Sequence, residues 1–349
     1  MTSPARPGSN AATVGRRGAP TIRQVAALAG VSRATASRVI NGGHLVSPET
    51  RKVVEAAIAE LGFAPNPVAR NLANRRTGSI ALVVPEPNQR LLTDPFFASI
   101  INGISMTLED SDLQMVLLIA RPGGRTDRLV DYLTTGSVDG AVIASHHSDD
   151  LFNRQLVEAG LPCVYIGRPL DLARAHYVDM DNAQGARLAT EHLIASGRRR
   201  VATITGPATM APGLDRLTGW RAALAEVGLP TDAIAIGDFT ARGGYLAMER
   251  LLAEHPDLDA VFAASDLMAS GALSAISAHG LSVPADIAVF GFDDLGAAET
   301  TDPPLSTVRH PVTEMAARAG ALLVALLAGE DIGDAPVLFT PRLVLRESV

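Results

Sequence analysis

The chain has 349 residues, 47% of them hydrophobic but only 4% aromatic, with a formal net charge of −7. That length exceeds one ordinary domain, so two or three are expected around an aliphatic, alanine-rich core. A single cysteine, Cys163, excludes an intrachain disulfide and any cysteine-based metal cluster. Every apolar run is interrupted short of membrane-spanning length, and residues 1–20 lack the apolar segment of a secretory signal. A soluble, cytoplasmic protein is expected.

Charge is spread unevenly. Residues 1–79 carry eleven basic and three acidic residues, a net of +8. Residues 80–349 carry nineteen basic and thirty-four acidic ones, a net of −15. A basic first quarter on an acidic body is what a polyanion-binding head on a soluble core requires. Lys52 is the only lysine, so phosphate contacts would fall mainly to arginine and backbone N–H groups.

Residues 1–19 have no periodicity and read as a disordered tail. Over 21–41 the sequence is TIRQVAALAGVSRATASRVIN. Thr21 caps a short helix whose Ile22, Val25, Ala26 and Ala29 share a face, and Gly30 permits a sharp turn. Ser32 then caps a second helix through Thr35, Val39 and Ile40 that presents Arg33, Ala34 and Arg38 outward. This is a helix-turn-helix, whose second helix can enter the major groove of duplex DNA. A third helix begins with Ser47 as N-cap and Pro48 at its first position, and stops at Gly62. The three helices should close around Val25, Val31, Val39, Ile40, Val54 and Ile58. Asn66 and Pro67 open a segment of two helical turns, too short to be stable alone and so a linker that folds against something else.

From Ile80 onward short apolar strands alternate with amphipathic helices. Strands are expected at 80–84, 115–119, 141–144, 163–166, 201–205, 261–264 and 287–291, with a strand-like end at 343–346. Helices are expected at 96–110, 126–135, 150–159, 183–196, 215–227, 242–254 and 267–279. This alternation specifies parallel α/β sheets, here in two similar lobes with a ligand cleft outside the carboxyl ends of the strands.

These pieces in this order resemble the lactose-repressor/galactose-repressor family of bacterial transcription regulators. The markers are VAALAGVS (25–32), SRVIN (37–41), VSPETR (46–51), LGFAPN (61–66), ARNL (69–72), DPFF (94–97), GWR (219–221), ASD (264–266) and GFDD (291–294). The resemblance implies an N-terminal helix-turn-helix bundle over 20–65 and a hinge helix or linker over 66–79. A periplasmic-binding-protein-like core of two Rossmann-like lobes then covers 80–349. One lobe takes about 80–178 and about 310–340, the other about 179–309. It also implies that Arg33, Ala34 and Arg38 read base edges, and that Thr21, Ser32, Ser37, Asn41 and Thr50 make phosphate or capping contacts. Thr35, Asn66 and Arg70 join the DNA-contacting set, and Leu72 matches a leucine that wedges into the minor groove.

In the core the resemblance places Asp94, Phe96 and Phe97 on a loop lining a sugar site, Arg216 as a grip on effector hydroxyls or a carboxylate, and Asp293 as an acceptor. Ser265, Asp266, His310, His146, His147, Arg168 and Trp220 complete the expected effector set. The stretch GPATMAPGLDR (206–216), with Ser145-His146-His147 and Gly167-Arg168-Pro169, is similar to regulators of cellobiose or related oligosaccharide uptake. The expected partners are near-palindromic double-stranded operator DNA, a small sugar effector such as cellobiose or another oligosaccharide, and a second copy of the chain. A purine-type corepressor, or a sugar-binding module without a regulatory role, is the alternative. No G-x-S-x-G elbow, Walker A loop or metal-spaced histidine cluster is present, so neither an enzyme nor a cofactor is expected.

Overall fold

The computed structural model describes residues 20–40, 46–63, 76–120, 127–148, 152–172 and 174–349. Asn41, Asn66, Arg70 and Leu72, the tail over 1–19 and most of the expected linker lie outside the described residues. The chain divides into two compact units, Met1–Arg75 and Arg76–Val349.

In the first unit, α1 is Ile22–Leu28, α2 is Arg33–Ile40 and α3 is Pro48–Leu61. Gln24 Oε1 accepts from the Thr21 N–H at 2.8 Å and from its hydroxyl at 3.0 Å, which ties down the start of α1. Gly30 has φ +64°, the left-handed conformation the turn needs. Ser32 Oγ accepts the Thr35 N–H at 3.1 Å, and Ser47 Oγ accepts the Thr50 N–H at 3.3 Å. Gly62 ends α3 at φ +61°. Val25, Val39 and Val54 are buried with four alanines, and Val31 and Ile58 pack against them. Ile40 is only half-buried and lies outside this cluster, where Ala36 takes the interior position instead.

In the second unit, β1 (Ser79–Val84), β2 (Gln114–Ile119), β3 (Gly140–Ala144), β4 (Cys163–Ile166), β5 (His176–Met180) and β11 (Val337–Phe339) form one sheet. Its order is β11-β5-β4-β3-β1-β2, and every pair is parallel. A second parallel sheet has the order β7-β6-β8-β9, from Ile234–Ile236, Val201–Thr205, Ala260–Ala263 and Ala288–Phe290. β10 (Thr307–Arg309) and β12 (Arg342–Val344) pair antiparallel.

The helices α4 (Asn88–Thr93), α5 (Pro95–Leu108), α6 (Asp127–Thr134), α7 (Phe152–Glu158) and α13 (Val312–Ala328) accompany the first sheet. The second has α8 (Asn182–Ala195), α9 (Ala211–Glu226), α10 (Ala241–Glu254), α11 (Asp266–Ala278) and the single turn α12 (Ala297–Thr300). No helix among the described residues is long and apolar enough to cross a membrane.

The expected strands and helices of both sheets are found, with ends shifted by a few residues. Four strands and one long helix were not expected from sequence: β5, β7, β10, β11 and α13. β5 reads HYVDM, too polar for an apolar-run criterion, yet it is buried because β4 and β11 flank it on both sides. β7, β10 and β11 are three residues each, too short for periodicity to register. In α13, alanines and glycine fill the face against α5, so the apolar pattern is diffuse.

The α8–α9 contact is a close helix pairing beside the second sheet. A Cβ on Gly219 would stand 2.0 Å from the Ala183 carbonyl oxygen and 2.9 Å from the Arg187 nitrogen, both backbone atoms. In an open helix, alanine in place of glycine would stabilise by about 1 kcal/mol. Here the clash decides the sign: Gly219→Ala is expected to destabilise the core by about 1–3 kcal/mol, seen as a lower midpoint in urea unfolding.

Candidate functional site

The carboxyl ends of the two parallel sheets face one cleft. After β1 comes Glu86 and then α4 with Arg90; after β3 come Ser145 and His146; after β4 comes Gly167. From the second sheet, Met210 and Pro212 follow β6, Ser265 follows β8 and Asp293 follows β9. The cavity is lined by Asp94, Phe96, His146, Arg216, Ser265, Asp293 and His310 from the expected set. Arg90, Ser145, Asp179, Met210 and Phe239 line it as well and were not expected.

Arg216 is the centre of the site. Its side chain is almost wholly buried, and its guanidinium lies 3.5 Å over the Phe292 ring. Nε donates to Asn182 Oδ1 at 2.9 Å, and Nη1 donates to the Ala264 carbonyl at 2.6 Å and approaches Asp293 Oδ1 at 3.5 Å. Burial pulls its pKa down, opposed first by the Asp293 carboxylate. Asp293 also meets His310 Nδ1 at 3.3 Å, leaving the buried His310 Nε2 without a protein partner.

A second cluster forms around Glu86, which is buried. Arg90 Nη1 and Ser145 Oγ (2.6 Å) donate to Glu86 Oε1, and His147 Nε2 lies 3.3 Å away. The Arg90 guanidinium sits between the Phe97 ring (5.6 Å) and the Phe239 ring (5.1 Å), the latter from the other lobe. Its Nε is buried, 3.9 Å from Asp94 Oδ2 and without a hydrogen bond. Asp94 Oδ1 caps α5 by accepting the Phe96 N–H at 3.0 Å. Burial, with Asp293 adding repulsion, raises the Asp94 carboxyl to about 6. Burial lowers His146 to about 4, so its ring is neutral at pH 7; Nε2 meets the Gly167 carbonyl at 3.1 Å.

The remaining expected residues are placed elsewhere. Phe97, next to Phe96, is buried in the core beneath α5, because consecutive helical residues point about 100° apart. Trp220 is fully buried in the same core. Asp266 is a structural link: its carboxylate accepts from Thr307 Oγ1 at 2.6 Å and from the Asp294 N–H at 2.7 Å. Arg168 turns its guanidinium to Asp215 of the other lobe, with Nη2 at 2.7 and 2.9 Å from the carboxylate oxygens. His147 sits at the rim, its Nδ1 2.7 Å from Thr209 Oγ1.

Three of the four non-glycine residues with positive φ among the described residues line this cleft: Ser145 (+59°), Phe239 (+63°) and Asp293 (+126°). Such backbone is held only where the surroundings over-determine it, and it gathers at binding sites. Gly206 makes room for one of them, since a Cβ there would stand 2.0 Å from the Phe239 ring.

In the first unit, Arg33, Ala34 and Arg38 are exposed along α2, whose buried face is Ala36 and Val39. The hydroxyls of Ser32 and Thr35 bond each other at 2.8 Å, and those of Ser47 and Thr50 at 3.1 Å. Ser32, Thr35 and Thr50 therefore hold helix starts. Thr21 is exposed at the start of α1, and Ser37 is half-buried.

Residues 21–66 match the family model of the bacterial regulatory proteins, lacI family, and residues 190–349 match that of the periplasmic binding protein-like domain. The chain is 47% identical to the HTH-type transcriptional regulator CelR of Thermobifida fusca, over 95% of this chain and 99% of that one. It is 34% identical to the ribose operon repressor of Haemophilus influenzae, over 94% of this chain and 98% of that one. Among solved structures, a CelR–cellobiose complex aligns with TM-score 0.76 at 46% identity, covering 95% of this chain and all of that one. The lac repressor dimer bound to operator and the anti-inducer ONPF aligns with TM-score 0.81 at 29% identity, covering 94% and 98%. With relatives this similar along nearly their whole length, the chain belongs to the lacI family of bacterial regulatory proteins.

Proposed function

We propose that the chain is a cytoplasmic, homodimeric repressor of transcription whose hold on operator DNA is set by a small sugar in the cleft. The observation that carries this is the polar cage of Arg216, Asp293 and His310 beside the Phe96 and Phe239 rings, on the same chain as a helix-turn-helix with exposed arginines. Rings and paired hydrogen-bonding groups are what a pyranose needs: apolar C–H faces to cover and adjacent hydroxyls to satisfy. Asp293 accepts from hydroxyls, Arg216 donates to the neighbouring ones, and His310 Nε2 donates or accepts according to its tautomer. The identity with CelR, whose structure holds cellobiose, makes a β-linked disaccharide the first effector to test.

In the head, Arg33 and Arg38 read base edges and Ala34 covers a thymine methyl. Two such heads on a dimer meet successive major grooves of a near-palindromic site. Sugar binding favours one arrangement of the lobes, and the difference in sugar affinity between arrangements is the free energy available to weaken DNA binding.

Two measurements test this reading, and a third tests the electrostatics of the cleft. Arg38→Ala should cost about 1–3 kcal/mol of discrimination between operator and mutated operator, read by competition mobility shift, with cellobiose affinity unaltered. Equal loss of both would show that head and cleft are misassigned. Arg216→Lys should keep operator binding but abolish its release by cellobiose; normal release would remove Arg216 from the site. Asp94→Asn keeps the cap on α5 and removes a carboxyl whose folded pKa is raised. Between pH 4 and 6 the native state holds a proton that the unfolded chain has released, so stability falls as pH rises through that window. The variant should therefore be more stable than the parent at pH 7, by up to about 3 kcal/mol, and the gain should vanish near pH 4 in urea unfolding.

A further inference from the structure

Charge in the cleft is balanced in a way that restricts the effector beyond its being a sugar. Two guanidinium groups reach the cavity, Arg90 and Arg216, and each already faces a carboxylate: Glu86 on Arg90 and Asp293 on Arg216. Asp94 and Asp179 add two further carboxyls to the lining. Asp179 meets backbone and amide donors only, from Arg168, Met180 and Asn182. His146 is neutral at pH 7 and His310 leans on Asp293.

Of the helix starts, the other common seats for phosphate, two are capped by side chains and a third lacks one of its N–H groups. Asp94 puts its own carboxylate on the start of α5, Ser265 caps α11 with Asp266 immediately after it, and Pro212 removes an N–H from the first turn of α9. Each guanidinium that reaches the cavity thus already faces a carboxylate, and two of the neighbouring helix starts carry a capping carboxylate or hydroxyl.

We infer that the cleft accepts only uncharged saccharides and rejects phosphorylated ones, with Glu86 as the positioning residue that cancels Arg90. The inference rests on the sugar reading above and narrows it. A phosphate monoester carries nearly two negative charges at neutral pH and needs free guanidinium or N–H groups to replace its water. Here it would meet carboxylates instead. The signal is then a free saccharide, released by glycoside hydrolysis or imported without phosphoryl transfer, and not a kinase product.

Calorimetry of the full chain at pH 7.5 with cellobiose and with cellobiose 6-phosphate provides the test. Like-charge juxtaposition should make the phosphate ester bind at least about 100-fold more weakly than cellobiose. Glu86→Gln preserves the side chain's shape while freeing Arg90, and should narrow that ratio by at least about 10-fold. Asp94→Asn, which leaves the Arg90–Glu86 pair intact, should narrow it less. Comparable binding of both ligands to the parent protein, or a ratio unmoved in both variants, would overturn the charge exclusion while leaving the sugar reading in place. Failure of the parent to bind any neutral mono- or disaccharide would overturn the sugar reading and this inference together.

Discussion

A buried guanidinium holds the effector cleft together. Arg216 is cut off from water, and an unpaired charge there would be prohibitively costly. It is compensated from four directions: Asn182 at the start of α8, the Ala264 carbonyl after β8, Asp293 after β9 and the Phe292 ring beneath. Those partners come from separate crossovers of one lobe, so satisfying the charge fixes where the crossovers lie. Asp266 repeats the device one layer down, joining α11 to β10 and to the Asp293–Asp294 turn.

The site therefore depends on strain held in place by packing. Ser145, Phe239 and Asp293 adopt backbone conformations that cost of order 1–3 kcal/mol each. Ser145 is held by its bond to Glu86, Phe239 by its seat on Gly206, and Asp293 by bonds between its N–H and the Val308 carbonyl and between its carbonyl and the His310 N–H. A pre-shaped cavity loses less entropy when a ligand enters, because its polar groups are already aimed.

Much of this was legible in the sequence, and the gaps have physical causes. Ser47, Pro48 and Gly62 act locally, and their roles follow from cap and turn chemistry alone. Asp94, Arg216 and Asp293 were recognisable because they fall at the ends of apolar strands or in distinctive short motifs. Glu86 and Arg90 were not: α4 is only six residues long, and their importance arises from pairing with Ser145 and His147 some sixty residues on. Phe97 packs in the core while Phe96 lines the cavity, since sequence does not say which of two adjacent rings faces inward, and Phe239 reaches the cleft from a loop no motif marks. Asp266 and Trp220 stand in conspicuous motifs yet serve packing and support, which only the surrounding partners reveal.

The rim of the cleft is fastened by two polar bridges between lobes, Arg168 with Asp215 and His147 with Thr209. The Arg168 and Asp215 side chains are 39% and 27% exposed, so their pair contributes little more than about 1 kcal/mol and is weakened by salt. Dissolved ions thus screen this pair and loosen the clasp over the cavity. Ionic strength becomes a handle on how firmly the two lobes are latched over the cavity, because one of the two latches is a solvent-facing ion pair.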